Sequence, residues 1–324
     1  MIELVSILIP NYNKASFLRE ALNSVLNQSY QNWECIIVDD HSTDNSWEIL
    51  EEFASLDSRF QIFSRPDILP KGGNGCRNYA FEMSNGEFIQ YLDSDDKLDP
   101  FKIENQLNRI QTFDDVKTIS ISEWEFFGGV NSIRLLNKYH LEEHPSNPKE
   151  LFPILWINQK FIPSFCYLIP SLLIKSEWKQ YLVKNQDGDF FFNILLNCDK
   201  LDFANNAIGY YRLPSTLHTS RINTFAGFRS DFMVLNSYEK ILENIFDNKY
   251  ILKGLTINYQ NYILKSIDIY PVLAKLAWLR LLRLDPKLNF LETEKLFFKL
   301  SKYLGFSISY LLRKVYIRIY LFSK

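Results

Sequence analysis

The stretch FIQYLDSDD at residues 88–96 joins a short apolar run to three closely spaced carboxylates. The run at 88–92 is rich in aromatic and branched side chains, which predicts a buried strand that ends at Leu92. The carboxylates of Asp93, Asp95 and Asp96 would repel one another unless a positive charge lay beside them. Divalent cations such as Mg²⁺ prefer carboxylate and phosphate oxygens as ligands. The stretch therefore predicts a cation site at the end of a buried strand.

Two earlier apolar runs also end in polar residues. Residues 5–9 (VSILI) predict a strand that stops at Pro10, and residues 34–38 (ECIIV) predict a second strand that stops at Asp39. Helical patterns or helix starts occupy the intervals at 16–27, 46–55 and 72–83. This alternation predicts an α/β fold with a doubly wound, mostly parallel sheet. Because ligands of such sheets bind beyond the carboxyl ends of the strands, the polar residues after the strands should converge at one edge.

The composition narrows the class of protein. A net charge of −2 argues against a general nucleic-acid-binding surface. Four scattered cysteines favour a reduced, cytoplasmic setting over a disulfide scaffold. The first residues do not resemble a signal peptide, and no uncharged apolar run reaches the roughly 20 residues of a membrane-spanning helix. These features predict a cytoplasmic protein that is soluble or bound at a membrane surface.

Other interpretations of the acidic stretch are open when it is taken alone. It also fits a solvated turn that caps the helix near Pro100, and Asp40 also fits a helix cap. Sugar-nucleotide pyrophosphorylases and dinucleotide oxidoreductases share a nucleotide-binding sheet, but a glycine-rich loop is expected after their first strand. Residues 10–13 (PNYN) do not form such a loop. The acidic stretch alone therefore does not identify the class of protein, and the segments at the other strand ends are needed as well.

Three segments together resemble the family 2 glycosyltransferases of GT-A fold: 5–13 (VSILIPNYN), 36–44 (IIVDDHSTD) and 86–96 (GEFIQYLDSDD). Their order, spacing and strand context agree over roughly residues 4 to 100. The resemblance implies an inverting, metal-dependent transferase that uses a nucleotide-diphosphate sugar, with UDP-sugars favoured. The implied acceptor is a hydroxyl of a glycan or lipid-linked saccharide in bacterial surface polysaccharide synthesis. The alternative is a degenerate transferase that serves as a partner or scaffold subunit.

The resemblance also implies roles for individual positions. Asp95, with Asp93, is the expected ligand of Mn²⁺ or Mg²⁺, and Asp40 is expected to read the nucleotide base. Arg77, in the segment 75–78 (GCRN), is expected to face the donor, although a surface helix arginine is the simpler alternative. Asp96 is expected only to cap the following turn. The full set of donor-binding positions is Pro10, Tyr12, Asn13, Asp40, Arg77, Asp93 and Ser94.

An inverting transferase needs a carboxylate that removes the proton of the acceptor hydroxyl. Residues 186–191 (QDGDFF) lie at about the family's distance from the acidic stretch, with Gln186 in place of the usual Glu. Asp187 is the expected base and Asp189 the second choice, whereas helix capping is the alternative for both. Trp156 would stack on a sugar or belong to the core, and His218 is more typical of a plain loop histidine.

The C-terminal third completes the predicted organisation. The resemblance implies a GT-A catalytic domain at 1–220, with a nucleotide-sugar half at 1–100 and an acceptor half at 101–220. A helical region is predicted at 221–324, because helical periodicity continues from about Phe225 to the end. Charged side chains are all positive from Lys295 to Lys324, where a basic helix face is expected to include Arg313. Such a face predicts either contact with the inner face of the cell membrane through 295–324 or a helical cap.

Overall fold

The computed structural model describes residues 3–113, 117–128, 141–213, 224–242, 249–284, 297, 301 and 304–322. The chain divides into two compact units. The first comprises Met1–Leu151, Lys160–Leu182 and Gln186–Thr219, and the second comprises Phe152–Gln159, Val183–Asn185 and Ser220–Lys324. Two short internal segments thus belong to the second unit, in addition to the C-terminal region.

One sheet forms the centre of the first unit. Its strands are β1 Val5–Asn11, β2 Trp33–Asp39, β3 Phe60–Ser64, β4 Phe88–Tyr91, β5 Lys97–Leu98, β6 Thr118–Phe127, β7 Tyr167–Pro170 and β8 Lys200–Arg212. They lie in the order β3-β2-β1-β4-β7-β6-β8-β5. The first four are parallel to one another and β6 is parallel to β8, whereas β7 and β5 pair antiparallel with their neighbours. The predicted α/β class with a mostly parallel sheet is confirmed.

Helices connect the strands of the parallel half. Among the described residues before 200, the α-helices are α1 Ala15–Leu26, α2 Ser46–Leu56, α3 Gly73–Glu82, α4 Lys102–Ile110, α5 Pro148–Asn158 and α6 Gln186–Leu195. In α1 the buried residues are Leu18, Ala21, Leu22 and Val25, which recur at the three- and four-residue spacing of one helix face. The predicted helices at 16–27, 46–55 and 72–83 correspond to α1, α2 and α3.

Strand β1 is longer than the sequence predicts. Pro10 and Asn11 were expected to end it, but both remain in the ladder, opposite Val38 and Asp39 of β2. Proline has no backbone N–H to donate to a neighbouring strand, so within a sheet one side of its strand has to be unpaired. The pairing of β1 with β4 ends at Leu8, so β1 has a ladder partner on one side only at Pro10. The longer strand carries Asn11 directly to the edge of the sheet.

A lysine lies in the core of the first unit. Lys102 of α4 is fully buried, and its ammonium group donates to the side-chain oxygens of Gln90 on β4 and Gln106 on α4, the latter at 2.6 Å. Gln90 in turn donates to the carbonyl of Phe165 at 2.8 Å, and Gln106 donates to that of Cys166 at 2.9 Å. Burial lowers the pKa of Lys102 from 10.5 to about 7. This network joins α4 to the strand that precedes the acidic stretch.

The second unit is helical, as predicted from Phe225 onward. Its long helices are α7 Phe225–Leu242, α8 Lys249–Ser266, α9 Pro271–Leu284 and α10 Phe306–Phe322. Trp156 is buried within this unit, with its ring 4.9 Å from that of Tyr238, so it belongs to the core and not to a sugar platform. Across the described ranges, no helix combines the length and hydrophobicity needed to cross a membrane.

The expected basic face of the C-terminal tail is wrong in one described position. Arg313 of α10 turns inward and pairs with Asp268 at 2.7 Å. The side exposed to solvent instead carries Ile308 and Leu311, because Phe306 and Ser309 occupy the buried side. Lys295, Lys299, Lys302 and Lys324 lie outside the described residues.

The buried lysine makes stability depend on pH. Because the folded-state pKa of Lys102 lies below the unfolded value, the unfolded chain holds one more proton between about pH 7 and 10. The free energy of unfolding should therefore rise with pH in this window, by on the order of a few kcal/mol. Urea unfolding of the wild type and Lys102→Met at pH 7 and pH 9.5 measures this. The variant should lose most of the rise, and equal slopes for both proteins would contradict the assignment.

Candidate active site

The carboxyl ends of β1, β2 and β4 meet at one edge of the sheet, as predicted. Asn11 lies opposite Asp39 in the ladder, and the N–H of Leu92 donates to the carbonyl of Leu8 at 3.0 Å. The polar segments that follow the three strands are therefore neighbours, although more than 80 residues separate Asn11 from Asp93 in the sequence. In parallel sheets this edge is where ligands bind.

Asp39 and Asn13 fasten the first two loops to each other. The carboxylate of Asp39 accepts from the side-chain amide of Asn11 at 2.7 Å and from the N–H of Ser42 at 2.7 Å. Asn13 has a φ of 50°, in the left-handed region that asparagine tolerates. Its side-chain oxygen accepts from the N–H of Thr43 at 2.7 Å. Asn13, expected to bind the donor, is thus already engaged in holding the loop that would form the site.

Asp44 ends this loop by capping two helices. One oxygen accepts from the N–H of Ala15 and the other from the N–H of Ser46, each at 3.0 Å. These donors lie at the starts of α1 and α2, where backbone N–H groups lack partners within the helix. Asp44 therefore satisfies one such N–H group at the start of each helix.

Asp40 is buried and fixes the start of α3. It accepts from Nε of Arg65 with one oxygen and from the N–H of Gly72 at 2.8 Å with the other. Arg65 also donates to the carbonyls of Pro66 and Leu69, so the pair holds the loop at 66–72. Arg65 was not predicted, although its position directly after β3 places it at the same edge. Because both oxygens of Asp40 already accept bonds, any contact with a base would use its remaining lone pairs.

Tyr12 projects from the end of β1 with its ring half-exposed. The ammonium group of Lys71 lies 4.4 Å from the centre of the ring and 3.2 Å from its hydroxyl. An exposed aromatic ring at a strand end can stack on a nucleobase or a sugar. Pro10, the neighbouring predicted donor residue, is buried in β1.

The three carboxylates of the acidic stretch have three different partners. Asp93 pairs with Arg77 at 2.6 Å, and Asp95 pairs with Lys14 at 2.5 Å. Asp96 is buried and accepts from the backbone N–H of Arg212 at 2.8 Å, which joins the stretch to the end of β8. Burial raises the pKa of Asp96 well above its usual range, and the charges of Asp93 and Asp95 raise it further.

The expectation that Asp96 only caps a turn is therefore wrong. Its side chain bonds a distant strand, while the turn is closed by its own N–H, which donates to the carbonyl of Asp93 at 3.0 Å. Ser94, between the first two carboxylates, is also buried. Asp93 and Asp95 are the members of the stretch whose side chains remain partly exposed.

Arg77 is a buried residue of α3 and not a surface arginine. Its guanidinium lies 4.5 Å from the ring centre of Trp178 while it bonds Asp93. Arg212 reaches the same stretch from β8 and donates from Nε to the carbonyl of Asp95 at 2.7 Å. Lys14 and Arg212 carry charge at this edge that the sequence-based site does not include. Their positions in the chain indicate this, since Lys14 directly precedes α1 and Arg212 ends β8.

Asp187 and Asp189 occupy different environments at the start of α6. Asp189 is buried and paired with Lys179 at 2.8 Å. Asp187 is exposed, although the protein around its carboxylate displaces enough water to raise its pKa above the usual range. The N–H of Gly188 and the charge of Arg77 lower that pKa in part, and the charge of Asp93 raises it. Asp187 is therefore close enough to Arg77 and Asp93 to interact with both.

An aromatic cluster holds α6 beside β4. Phe190 of α6 stacks on Trp178 with ring centres 4.2 Å apart, and it meets Tyr91 of β4 edge-on at 5.5 Å. Tyr91 lies two residues before Asp93, and Phe190 lies three residues after Asp187. The core thus sets the relative positions of the two carboxylates. His218 lies outside the described residues.

The residues at this edge fit a divalent cation that is shared with a ligand. No group of three or more His, Cys, Asp or Glu side chains within the described chain could enclose a metal on its own. Asp93 and Asp95 offer partly exposed carboxylate oxygens, which suit Mg²⁺ or Mn²⁺ when phosphate oxygens supply other ligands. Cys76, next to Arg77, is fully buried, and burial raises its thiol pKa to about 12, so it is not a metal-binding thiolate at neutral pH.

Comparison with known proteins assigns the family. Residues 6–170, about half of the chain, match the family described as glycosyl transferase family 2. The chain belongs to this family. It is 39% identical over 104 residues to the putative teichuronic acid biosynthesis glycosyltransferase TuaG of Bacillus subtilis, covering 32% of the chain and 41% of that protein.

A second relative has a more specific name. The family member from Escherichia coli called UDP-Glc:alpha-D-GlcNAc-diphosphoundecaprenol beta-1,3-glucosyltransferase WfaP is 41% identical over 110 residues, which cover 34% of this chain and 42% of WfaP. The chain thus spans about two fifths of the length of the relatives TuaG and WfaP.

The fold of this glycosyl transferase family 2 chain also matches a solved structure. It resembles S. aureus TarS 1-349 in complex with UDP-GlcNAc with a TM-score of 0.71, covering 97% of this chain and 91% of that one at 16% identity. The predicted GT-A fold is confirmed by this likeness.

The buried pair of Asp40 and Arg65 should matter far more to stability than a surface pair. Arg65→Ala leaves the Asp40 carboxylate buried without its counter-ion, which costs roughly 3–5 kcal/mol. The control is Arg19→Ala, which breaks the exposed pair with Glu52 and should cost little stability, because solvent screens an exposed pair. Urea unfolding at pH 7 measures both. Similar losses in the two variants would show that Asp40 is not held by Arg65 in solution.

Proposed function

We propose that the chain is an inverting, metal-dependent glycosyltransferase that moves a sugar from a nucleotide-diphosphate sugar, most simply a UDP-sugar, to a hydroxyl of a glycan or lipid-linked acceptor. The observation that carries the proposal is the arrangement at the end of β4. Two partly exposed carboxylates, Asp93 and Asp95, lie beside two cations, and Asp187 interacts with the same group. Membership in glycosyl transferase family 2 supports the reaction class.

The donor would bind across the ends of β1, β2 and β4. Tyr12 would stack on the base or ribose, and Asp40 would orient the base. Asp95, with Asp93, would hold Mn²⁺ or Mg²⁺, and the bound ion would offset the negative charge that develops on the leaving diphosphate. Arg77 and Lys14 lie where they could turn toward phosphate oxygens, since each already pairs with one of these carboxylates. Pro10, Asn13 and Ser94 would shape the loops around the donor.

Asp187 would act as the general base. It takes the proton of the acceptor hydroxyl as that oxygen attacks the anomeric carbon from the side opposite the diphosphate. The bond from the carbon to the acceptor oxygen forms while the bond to the phosphate oxygen breaks, so the configuration inverts. A raised pKa suits this role, because a base works best when its pKa lies near the working pH. Asp189, paired with Lys179, is the weaker candidate.

The names of two relatives support a biological setting. TuaG is named for teichuronic acid biosynthesis, and the name of WfaP specifies a UDP-sugar as donor and a diphosphoundecaprenol-linked sugar as acceptor. We therefore assign the chain to bacterial surface polysaccharide synthesis at the cytoplasmic face of the membrane. In this scheme residues 1–100 bind the donor and residues 101–220 complete the catalytic domain around the acceptor. Residues 221–324 form the helical region, of which 295–324 would contact the membrane surface.

Donor binding can be measured without knowing the sugar. UDP with Mn²⁺ should raise the melting temperature of the wild type, and Asp95→Ala should abolish that rise because the ion loses its main ligand. Glu48→Ala removes an exposed carboxylate from α2 and should leave the rise intact. No metal-dependent shift with any nucleoside diphosphate would favour a degenerate scaffold subunit over an enzyme.

The base can be tested through the pH dependence of turnover. Asp187 must be ionised to accept a proton, so activity should fall as the pH drops through its pKa. Since that pKa is raised, the midpoint of the acidic limb should lie above the ordinary aspartate value of about 3.9. Asp187→Asn should lower kcat by roughly 10²–10⁴-fold with little change in UDP affinity. A product that retains the anomeric configuration, or an Asp187→Asn variant of normal kcat, would contradict the role.

A further inference from the structure

Helix α9 exposes an apolar stripe. Val272, Leu276 and Leu279 recur at the spacing of one helix face, and Ile269 in the preceding turn is also exposed. The opposite side of α9 is already used for packing, since Leu273, Ala277 and Leu281 are buried. A helix on the surface of a soluble unit normally presents polar side chains outward. The outer stripe of α9 is therefore a second apolar face that packing within its own unit does not explain.

Helix α10 and the residues just before it show the same pattern. Their exposed apolar side chains are Leu304, Ile308, Leu311 and Leu312. Over the two stripes, these side chains and those of α9 are between 43% and 72% exposed. The two helices are packed together in one unit, because Trp278 of α9 lies with its ring centre 5.9 Å from that of Phe306 of α10.

The charged residues within α9 and α10 are all basic. The sequences of α9 and α10 contain Lys275, Arg280, Arg283, Arg313, Lys314 and Arg318 and no acidic residue. Asp268, beside the stripe of α9, is paired with Arg313, and Arg280 lies 3.5 Å from Glu239. Lys275 and Lys314 remain as exposed cations at the sides of the stripes. The whole chain has a net charge of −2, so this basic character is local.

We propose that the outer faces of α9 and α10 form a docking surface for an anionic lipid bilayer. The apolar side chains would enter the boundary between headgroups and acyl chains, while Lys275 and Lys314 would lie at the level of the lipid phosphates. Exposed apolar residues flanked by cations match such a boundary, in which apolar and anionic layers adjoin. This docking surface specifies the membrane contact of the proposed function. It rests on that function for the lipid-linked acceptor that would bring the chain to a membrane.

This surface differs from the one expected from the sequence. The expected contact was a basic face of residues 295–324. The proposed contact is an apolar face with basic sides, and it includes α9, which lies before that segment. A second copy of the chain could also cover an apolar face, but cationic sides on both copies would repel each other in a symmetric dimer. The lipid surface is therefore the occupant that the charges favour.

Vesicle binding tests the proposal. The 324-residue chain should sediment with vesicles of phosphatidylcholine and phosphatidylglycerol at a 3:1 ratio, and less with phosphatidylcholine alone. A double variant with Leu276→Glu and Leu311→Glu should bind the mixed vesicles at least tenfold more weakly. Leu56→Glu is the matched control, because Leu56 is likewise an exposed leucine, at the end of α2 in the first unit. It should bind like the wild type.

A second variant tests the cations separately. Lys275→Ala with Lys314→Ala keeps the apolar stripes and should lose most of the preference for anionic over neutral vesicles. Equal binding by wild type and the leucine double variant, or no binding by wild type at low salt, would overturn the proposal. A dimer that forms without vesicles and is lost in the leucine double variant would assign the face to a second copy and also overturn it.

The test is separable from the proposed function. The melting-temperature rise with UDP and Mn²⁺ should be the same in the leucine double variant as in the wild type, because the substitutions lie outside the donor site. Loss of vesicle binding with an intact rise would support lipid docking. An absent rise in the wild type, with vesicle binding intact, would overturn the transferase assignment and leave the docking surface in place.

Discussion

The repulsion between three carboxylates at the end of β4 is the constraint on which the site depends. Asp93, Asp95 and Asp96 lie within four residues, and each needs a positive partner or a hydrogen-bond donor. The protein supplies these from three separate places: Arg77 on α3, Lys14 before α1 and the backbone of Arg212 on β8. The three carboxylates therefore have all of their partners only when the first and last strands of the unit are in place.

The interior of the first unit also holds this edge of the sheet in position. Tyr91, Trp178 and Phe190 form a packed aromatic cluster between the acidic stretch and the start of α6. The buried Lys102 joins α4 to β4 on the other side through two glutamines. Side chains in such a core have few alternative rotamers, so the positions of the carboxylates at the edge are set before any ligand binds.

Much of the fold could be predicted because it depends on local patterns. Apolar runs of strand length and helical periodicity gave β1, β2, β4 and the first three helices, and the topology of a parallel sheet then brought their polar ends together. Pro10 was misjudged because a proline is compatible with a strand wherever one side of the ladder is open. That condition depends on the neighbouring strands and is not visible in the segment itself.

The predicted site was incomplete for a related reason. Acidic residues are recognisable because they cluster in the sequence, but their partners Lys14, Arg65 and Arg212 are single residues that become neighbours only in the folded chain. The tail shows the same limit. Periodicity placed Arg313 on a helix face, but its pairing with Asp268 forms only in the folded chain and is not visible in the segment.

The pairing of Asp95 with Lys14 has a consequence for how a charged ligand enters. The carboxylates at this edge already have counter-ions. A complex of a cation and a diphosphate would therefore replace these counter-ions and would not neutralise an unpaired charge. The cation would take over Asp95, and the released ammonium group of Lys14 would be free for the phosphate oxygens. Such an ion exchange leaves the total charge of the region nearly unchanged, so it avoids the cost of bringing unpaired charges together at the mouth of the sheet.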